Sequence, residues 1–352
     1  MCSFVDCFSR INKKPFLYTI AIMLIMISGF RWMTGLDWHP YVRIFNNSND
    51  FDYVLSGPYE KGFLLFNYVI NKIFGNYTAM LLITALIVIL LKCKVFIKLT
   101  PFPLLALFIN ASFVGADLFT NRQGIAVAFT IFSFIYIYEK KPLKFFITCS
   151  IAFIFHYSAV VFYPAYYIAH LNLTLRRQFF LLFVSFVGYL LFKELSILKS
   201  VGVFIGGAIG DKISFNQQLE LSEISMVTFS LRVMKKVVFL LFFAYFFKKY
   251  SCYKYKISYN LFFSSVCMFI VCQSLPGSFI RLTMYYSYYE VLLLTFIIFF
   301  LKPNYRALYL LFVGFYCLSK FIYGFQTDYE VLIPYESIFN EEHKIIEYQR
   351  FG

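Results

Sequence analysis

The chain has 352 residues, of which 61% are hydrophobic and 14% charged, with a mean hydropathy of +0.71 and a formal net charge of +14. Such a composition excludes a water-soluble globular protein and points to a chain solvated by lipid. A transmembrane β-barrel is excluded too, because runs such as LLITALIVILL and VLLLTFIIFFL are continuous and lack the two-residue alternation of lipid-facing and lumen-facing positions. The expected fold is all-α, a polytopic bundle of transmembrane helices forming one integral membrane domain over residues 1–352. The basic excess does not indicate nucleic-acid binding, since the charges sit at the ends of apolar runs.

Taken in chain order, the lysines ahead of the first apolar run lead into a retained first helix at about 16–31, with no small-residue cleavage site. An external segment, 32–75, follows and carries a short amphipathic helix, FLLFNYVINKIFG. Further spans are expected at about 76–97, 101–116, 122–138, 179–197, 226–247, 257–275, 281–300 and 306–325. A pair of short segments, 144–156 and 157–170, fits a re-entrant hairpin, because about 13 residues of helix reach only about 20 Å. Counting that pair as two gives about eleven passes, within a range of 10–12, and leaves 198–225 and 326–352 as further external segments.

This topology segregates charge. Arg10, Lys13, Lys14, Lys92, Lys94, Lys98, Lys140, Lys141, Lys144, Arg176, Arg177, Lys248, Lys249, Lys254, Lys256, Lys302 and Arg306 fall on one side with only Asp6 and Glu139 as acids. The positive-inside rule makes that side cytoplasmic and starts the chain there. The eight cysteines have no metal-ligand spacing, and those inside apolar runs, such as Cys149, Cys267 and Cys317, are packing residues.

The opposite side collects polar residues that an ordinary bundle does not need, and a water-filled cavity open to the outer face would accommodate them. Arg122 and Gln123, after Asn121, start the helix expected at 122–138. They either reach to the interface or bind an anion at the helix N-terminus, where free N–H groups and the dipole favour negative charge. Arg232, Lys235 and Lys236 lie at i, i+3 and i+4, on one helix face. They are either solvated or able to grip a diphosphate. His156, in the apolar stretch FIFHYSAVVF with Ser158 two residues on, is either structural or an acid–base group for a sugar hydroxyl. Asp37 and Glu60 are alternative bases, and Arg43 is a further cation of the same external segment. Arg281 opens a tyrosine-rich helix where Tyr285 serves an interfacial belt or a carbohydrate contact. Glu290, deeper in that helix, requires a partner that the sequence does not identify.

Several of these residues lie in recognisable motifs: GLDWHPY at 35–41, YEKGF at 59–63, NRQGIAVAF at 121–129, YEKKPLKFF at 138–146, HYSA at 156–159, and IPYESIF at 333–339 after Arg281. In these, across most of its length, the chain resembles the EpsG-like branch of the Wzy-type polysaccharide polymerases. The resemblance implies a metal-independent glycosyltransferase without a cofactor, in the bacterial cytoplasmic membrane with its active site on the outer face. It would join undecaprenyl-diphosphate-linked oligosaccharide repeat units for O-antigen, capsule or exopolysaccharide, among membrane lipids and alongside chain-length regulator and flippase proteins. Segment 198–225 lacks the arginines common in such polymerases, so the donor contacts would fall to Arg122, Arg232 and Arg281. A transporter of lipid-linked sugars and a non-catalytic component of the export complex are the alternatives.

Overall fold

The computed structural model describes residues 12–35, 38–113, 121–194, 226–250, 252–275, 277–327 and 335–340. Regular structure among them is helical, apart from one antiparallel bridge between Arg31 and Ser337. The chain divides into two compact units, Met1–Val160 with Leu294–Gly352, and Val161–Leu293.

In the first unit, α1 spans Lys14–Gly29, α2 Trp38–Asn47, α3 Phe51–Ser56, α4 Lys61–Phe74, α5 Tyr77–Leu99, α6 Pro103–Ala111, α7 Arg122–Tyr138 and α8 Pro142–Phe155. Proline in the first turn starts α1, α6 and α8, where its missing N–H costs nothing and its fixed φ suits a helix. The turn from α4 to α5 is equally local in origin. Gly75 closes α4 with a left-handed φ of 61°, and the Asn76 side chain caps α5 by accepting from the Thr78 N–H. The long helix α5 is the spine, packed against α1 on one side and α7 on another, with α8 against α7.

Segment 32–75 departs from expectation by holding three helices rather than one. In α2 the apolar residues Trp38, Tyr41, Ile44 and Phe45 recur at helical spacing and are buried. The expected span at 101–116 contains only the nine residues of α6, about 14 Å of helix, among the described residues. Lys92, grouped from sequence with the cytoplasmic helix-end cations, is 1% exposed within α5.

A 3-10 turn at Tyr157–Phe162 carries the chain from the first unit into the second, which holds α9 (Ala165–His170), α10 (Leu175–Glu194), α11 (Met226–Lys249) and α12 (Tyr253–Cys272). The chain then breaks into α13 (Gly277–Ile280), a 3-10 turn (Arg281–Thr283) and α14 (Met284–Ser287) before α15 (Tyr289–Phe300), whose second half from Leu294 is assigned to the first unit. Helix α12 is central, contacting α9, α10, α11 and α14. Its polar groups are spent on packing: Asn260 Nδ2 donates to the carbonyls of Ala169 (2.9 Å) and Leu171 (2.8 Å), and Tyr259 donates to Gln178 Oε1 (2.7 Å). The last helix, α16 (Pro303–Thr327), belongs to the first unit.

Among the described residues, five stretches are long and apolar enough to cross a membrane: Tyr77–Leu99, Leu175–Phe192, Tyr253–Cys272, Arg281–Phe300 and Pro303–Gly324. Shorter apolar helices are Lys14–Gly29, Arg122–Tyr138 and Pro142–Phe155. The helical membrane architecture is therefore as the sequence indicates, whereas helix lengths alone do not establish eleven passes. Asp37, segment 198–225 and most of 326–352 lie outside the described residues.

Candidate functional site

Three side chains singled out in the sequence meet in the first unit. Glu60 precedes α4, Arg122 opens α7, and His156 follows α8, so each sits where a helix starts or stops. The Glu60 carboxylate joins the other two. Arg122 Nη1 donates to its Oε2 at 2.6 Å, and His156 Nδ1 lies 2.7 Å from its Oε1. The Tyr157 backbone N–H also donates to Oε1, at 3.3 Å.

Local backbone explains how these groups reach one another. Helix α8 ends at Phe155, and His156 adopts an extended conformation (φ −157°, ψ 115°), which turns its ring out of the helical row. Gly62, in the first turn of α4, passes so near α8 that an added Cβ would lie 2.6 Å from the Ile154 carbonyl oxygen. That close approach sets the spacing between Glu60 and His156.

The Arg122 guanidinium is further held by aromatic rings. Its Nε donates to the Tyr41 hydroxyl at 3.2 Å, and its carbon lies 4.8 Å from the Tyr59 ring centre and 5.9 Å from that of Phe63. A planar cation fixed on three sides is pre-oriented. Its Nη2 bonds to no described residue, and the side chain keeps 22% of its surface accessible.

Burial by itself would raise the Glu60 carboxyl, but the His156 hydrogen bond and the Arg122 charge outweigh it and bring the group from 4.5 down to about 2. Glu60 is therefore an anion at neutral pH. Because a carboxylate only accepts, the imidazole proton belongs on Nδ1, leaving the lone pair of neutral His156 on Nε2. This arrangement of a carboxylate orienting an imidazole equips Nε2, not Glu60, to take a proton. His156 remains 24% exposed.

The other residues singled out are placed as follows. Asn121 turns inward, with Oδ1 accepting from Arg31 Nη2 (3.0 Å) and Nδ2 donating to the Tyr77 hydroxyl (3.3 Å), and is 2% exposed. It braces the start of α7 from behind. Gln123 and Ser158 are half-buried beside Arg122 and His156 in sequence, and Arg43 is exposed on α2 away from its buried face. Arg232, Lys235, Lys236, Arg281 and Tyr285 all belong to the second unit. There Arg232, Lys235 and Arg281 are exposed, Tyr285 is fully buried, and Lys236 lies 4.0 Å from Glu290, the acid whose partner the sequence left unnamed.

Tyr41 and Tyr59 escaped sequence reasoning as site residues. The signal was present for both, since Tyr41 ends GLDWHPY and Tyr59 begins YEKGF. No group of three or more potential metal-ligating side chains occurs among the described residues. In comparisons with known proteins, the sequence model of the EpsG family matches residues 14–337. No curated protein and no solved structure matches.

Proposed function

Because the chain belongs to the EpsG family and is thereby a membrane protein of polysaccharide biosynthesis, we propose that it is the polymerase that joins lipid-linked oligosaccharide repeat units on the outer face of the cytoplasmic membrane. The observation that carries this reading is the Glu60 carboxylate bridging His156 and Arg122. Polymerisation of this kind needs one group to accept the proton of an acceptor hydroxyl and cations to receive charge on a departing diphosphate.

The acceptor hydroxyl attacks the anomeric carbon of the growing chain. His156 Nε2 takes the hydroxyl proton while Glu60 stabilises the imidazolium that forms. The bond from anomeric carbon to undecaprenyl diphosphate breaks, and the diphosphate leaves with the electron pair. Arg122 Nη2 and the N-terminal amides of α7 stabilise that charge.

The test is made in cells lacking the natural gene and supplied with His156→Gln or Arg122→Ala. At equal membrane levels of protein, each variant yields surface material capped with single repeat units in place of long polymer. Wild-type chain lengths from His156→Gln would overturn the assignment. Accumulation of lipid-linked units inside the cell, with none reaching the surface, would instead indicate a transporter.

A further inference from the structure

A cleft of about 340 Å³ opens in the first unit among Lys14 and Tyr18 of α1, Lys94, Ile97 and Lys98 of α5, and Phe132, Ile135 and Tyr136 of α7. Arg122, at the other end of α7, is about 20 Å of helix from Tyr136. The cleft is therefore separate from the site described above.

Its lining changes character with depth. Lys94 and Lys98 are one turn apart on α5 and lie, with Lys14, at the basic ends of their helices. Ile97, Phe132, Ile135 and Tyr136 supply an apolar and aromatic wall. No carboxylate lines the cleft among the described residues. The nearby Glu139 is engaged by Lys98 and by Lys141, the latter at 2.7 Å. Lys14 and Lys94 are exposed, and neither has an ion-pair partner among the described residues.

Two uncompensated ammonium groups above an apolar wall match a molecule with an anionic phosphate on apolar chains. We propose that this cleft binds the headgroup of an anionic phospholipid, with the phosphate at Lys14 and Lys94 and the acyl chains along Ile97, Phe132 and Tyr136. Basic recesses between membrane helices on the cytoplasmic side are suited to such headgroups, and the basic residues of this chain place the cleft on that side. The site is independent of the polymerase reading and stands or falls separately from it.

The full chain, purified in neutral detergent, is titrated with phosphatidylglycerol and with phosphatidylcholine, and bound lipid is counted by native mass spectrometry. Wild-type protein binds phosphatidylglycerol at least tenfold more tightly. Since one lysine near an anionic surface is worth about fivefold, Lys14→Gln with Lys94→Gln weakens that binding by roughly 25-fold and leaves phosphatidylcholine unchanged. The double replacement by arginine keeps it. Equal binding of the two lipids by wild-type protein, or undiminished phosphatidylglycerol binding by the glutamine variant, overturns the proposal. Displacement of phosphatidylglycerol by millimolar inorganic phosphate also overturns it, by marking a site for soluble anions. Should the glutamine variant not fold, photo-crosslinking of phosphatidylglycerol to wild-type protein decides: adducts at Tyr18, Ile97 or Tyr136 support the site, and adducts confined to other helices refute it.

Discussion

Replacing Glu60 by Gln removes the charge that binds Arg122 to His156 while keeping the shape of the side chain. In the folded protein the Glu60 carboxyl titrates at about 2, against an ordinary value of 4.5. That depression corresponds to about 3 kcal/mol of stability at neutral pH, the scale expected when a buried pair loses one partner. The sign follows from proton binding. Between these two values the unfolded chain takes up a proton that the folded chain refuses, so stability is complete above 4.5 and drains away as pH falls toward 2. Thermal unfolding of the detergent-purified protein should show Glu60→Gln less stable than wild type at pH 7, with the gap reduced to about half at pH 3. A gap of the same size at both pH values, or none at pH 7, would refute the assignment of Glu60 as an ionised bridge.

Two further substitutions probe the same site. Gly62→Ala places a methyl group against the Ile154 carbonyl and forces α4 from α8, so it should cost about 1–3 kcal/mol in thermal unfolding and shorten the polymer at permissive temperature. Arg122→Lys preserves charge but cannot contact Glu60 and the Tyr41 hydroxyl together, so polymer length should fall well below wild type even at equal protein levels.

Long-range elements of the fold were legible where a single periodic run decides them. The span expected at 122–138 is α7 to the residue, and those at 76–97 and 257–275 lie within a few residues of α5 and α12. Legibility failed where short helices fold back on one another. The stripe of α2 is ten residues long and ends in Asn46 and Asn47, so it reads as loop until it packs against α4. At the site, Glu60, Arg122 and His156 were each recognisable as ionisable groups in apolar company. Their meeting was not, since 62 and 96 positions separate Glu60 from its partners. Asn121 is legible as a site residue because it stands beside Arg122; its inward turn depends on Arg31, 90 positions away. Lys92 was read as a helix-end cation because depth in a membrane, which sequence estimates, differs from burial against neighbouring helices, which it does not.

The pairing between residues 30–34 and 335–340 also constrains timing. Trp32 N–H donates to the Glu336 carbonyl and Ile338 N–H to that of Phe30, both at about 3 Å, while the Tyr335 hydroxyl donates to Ile27, 308 positions earlier. At ordinary rates of translation that interval takes roughly 15–60 s. For that period the segment after α1 is already made but its partner segment does not exist. Arg31, which lies in this segment and braces the start of α7 through Asn121, thus gains its backbone bridge to Ser337 only after residues 335–340 are made. A chain halted before residue 335 would carry every residue of the Glu60 bridge, yet lack the latch behind it.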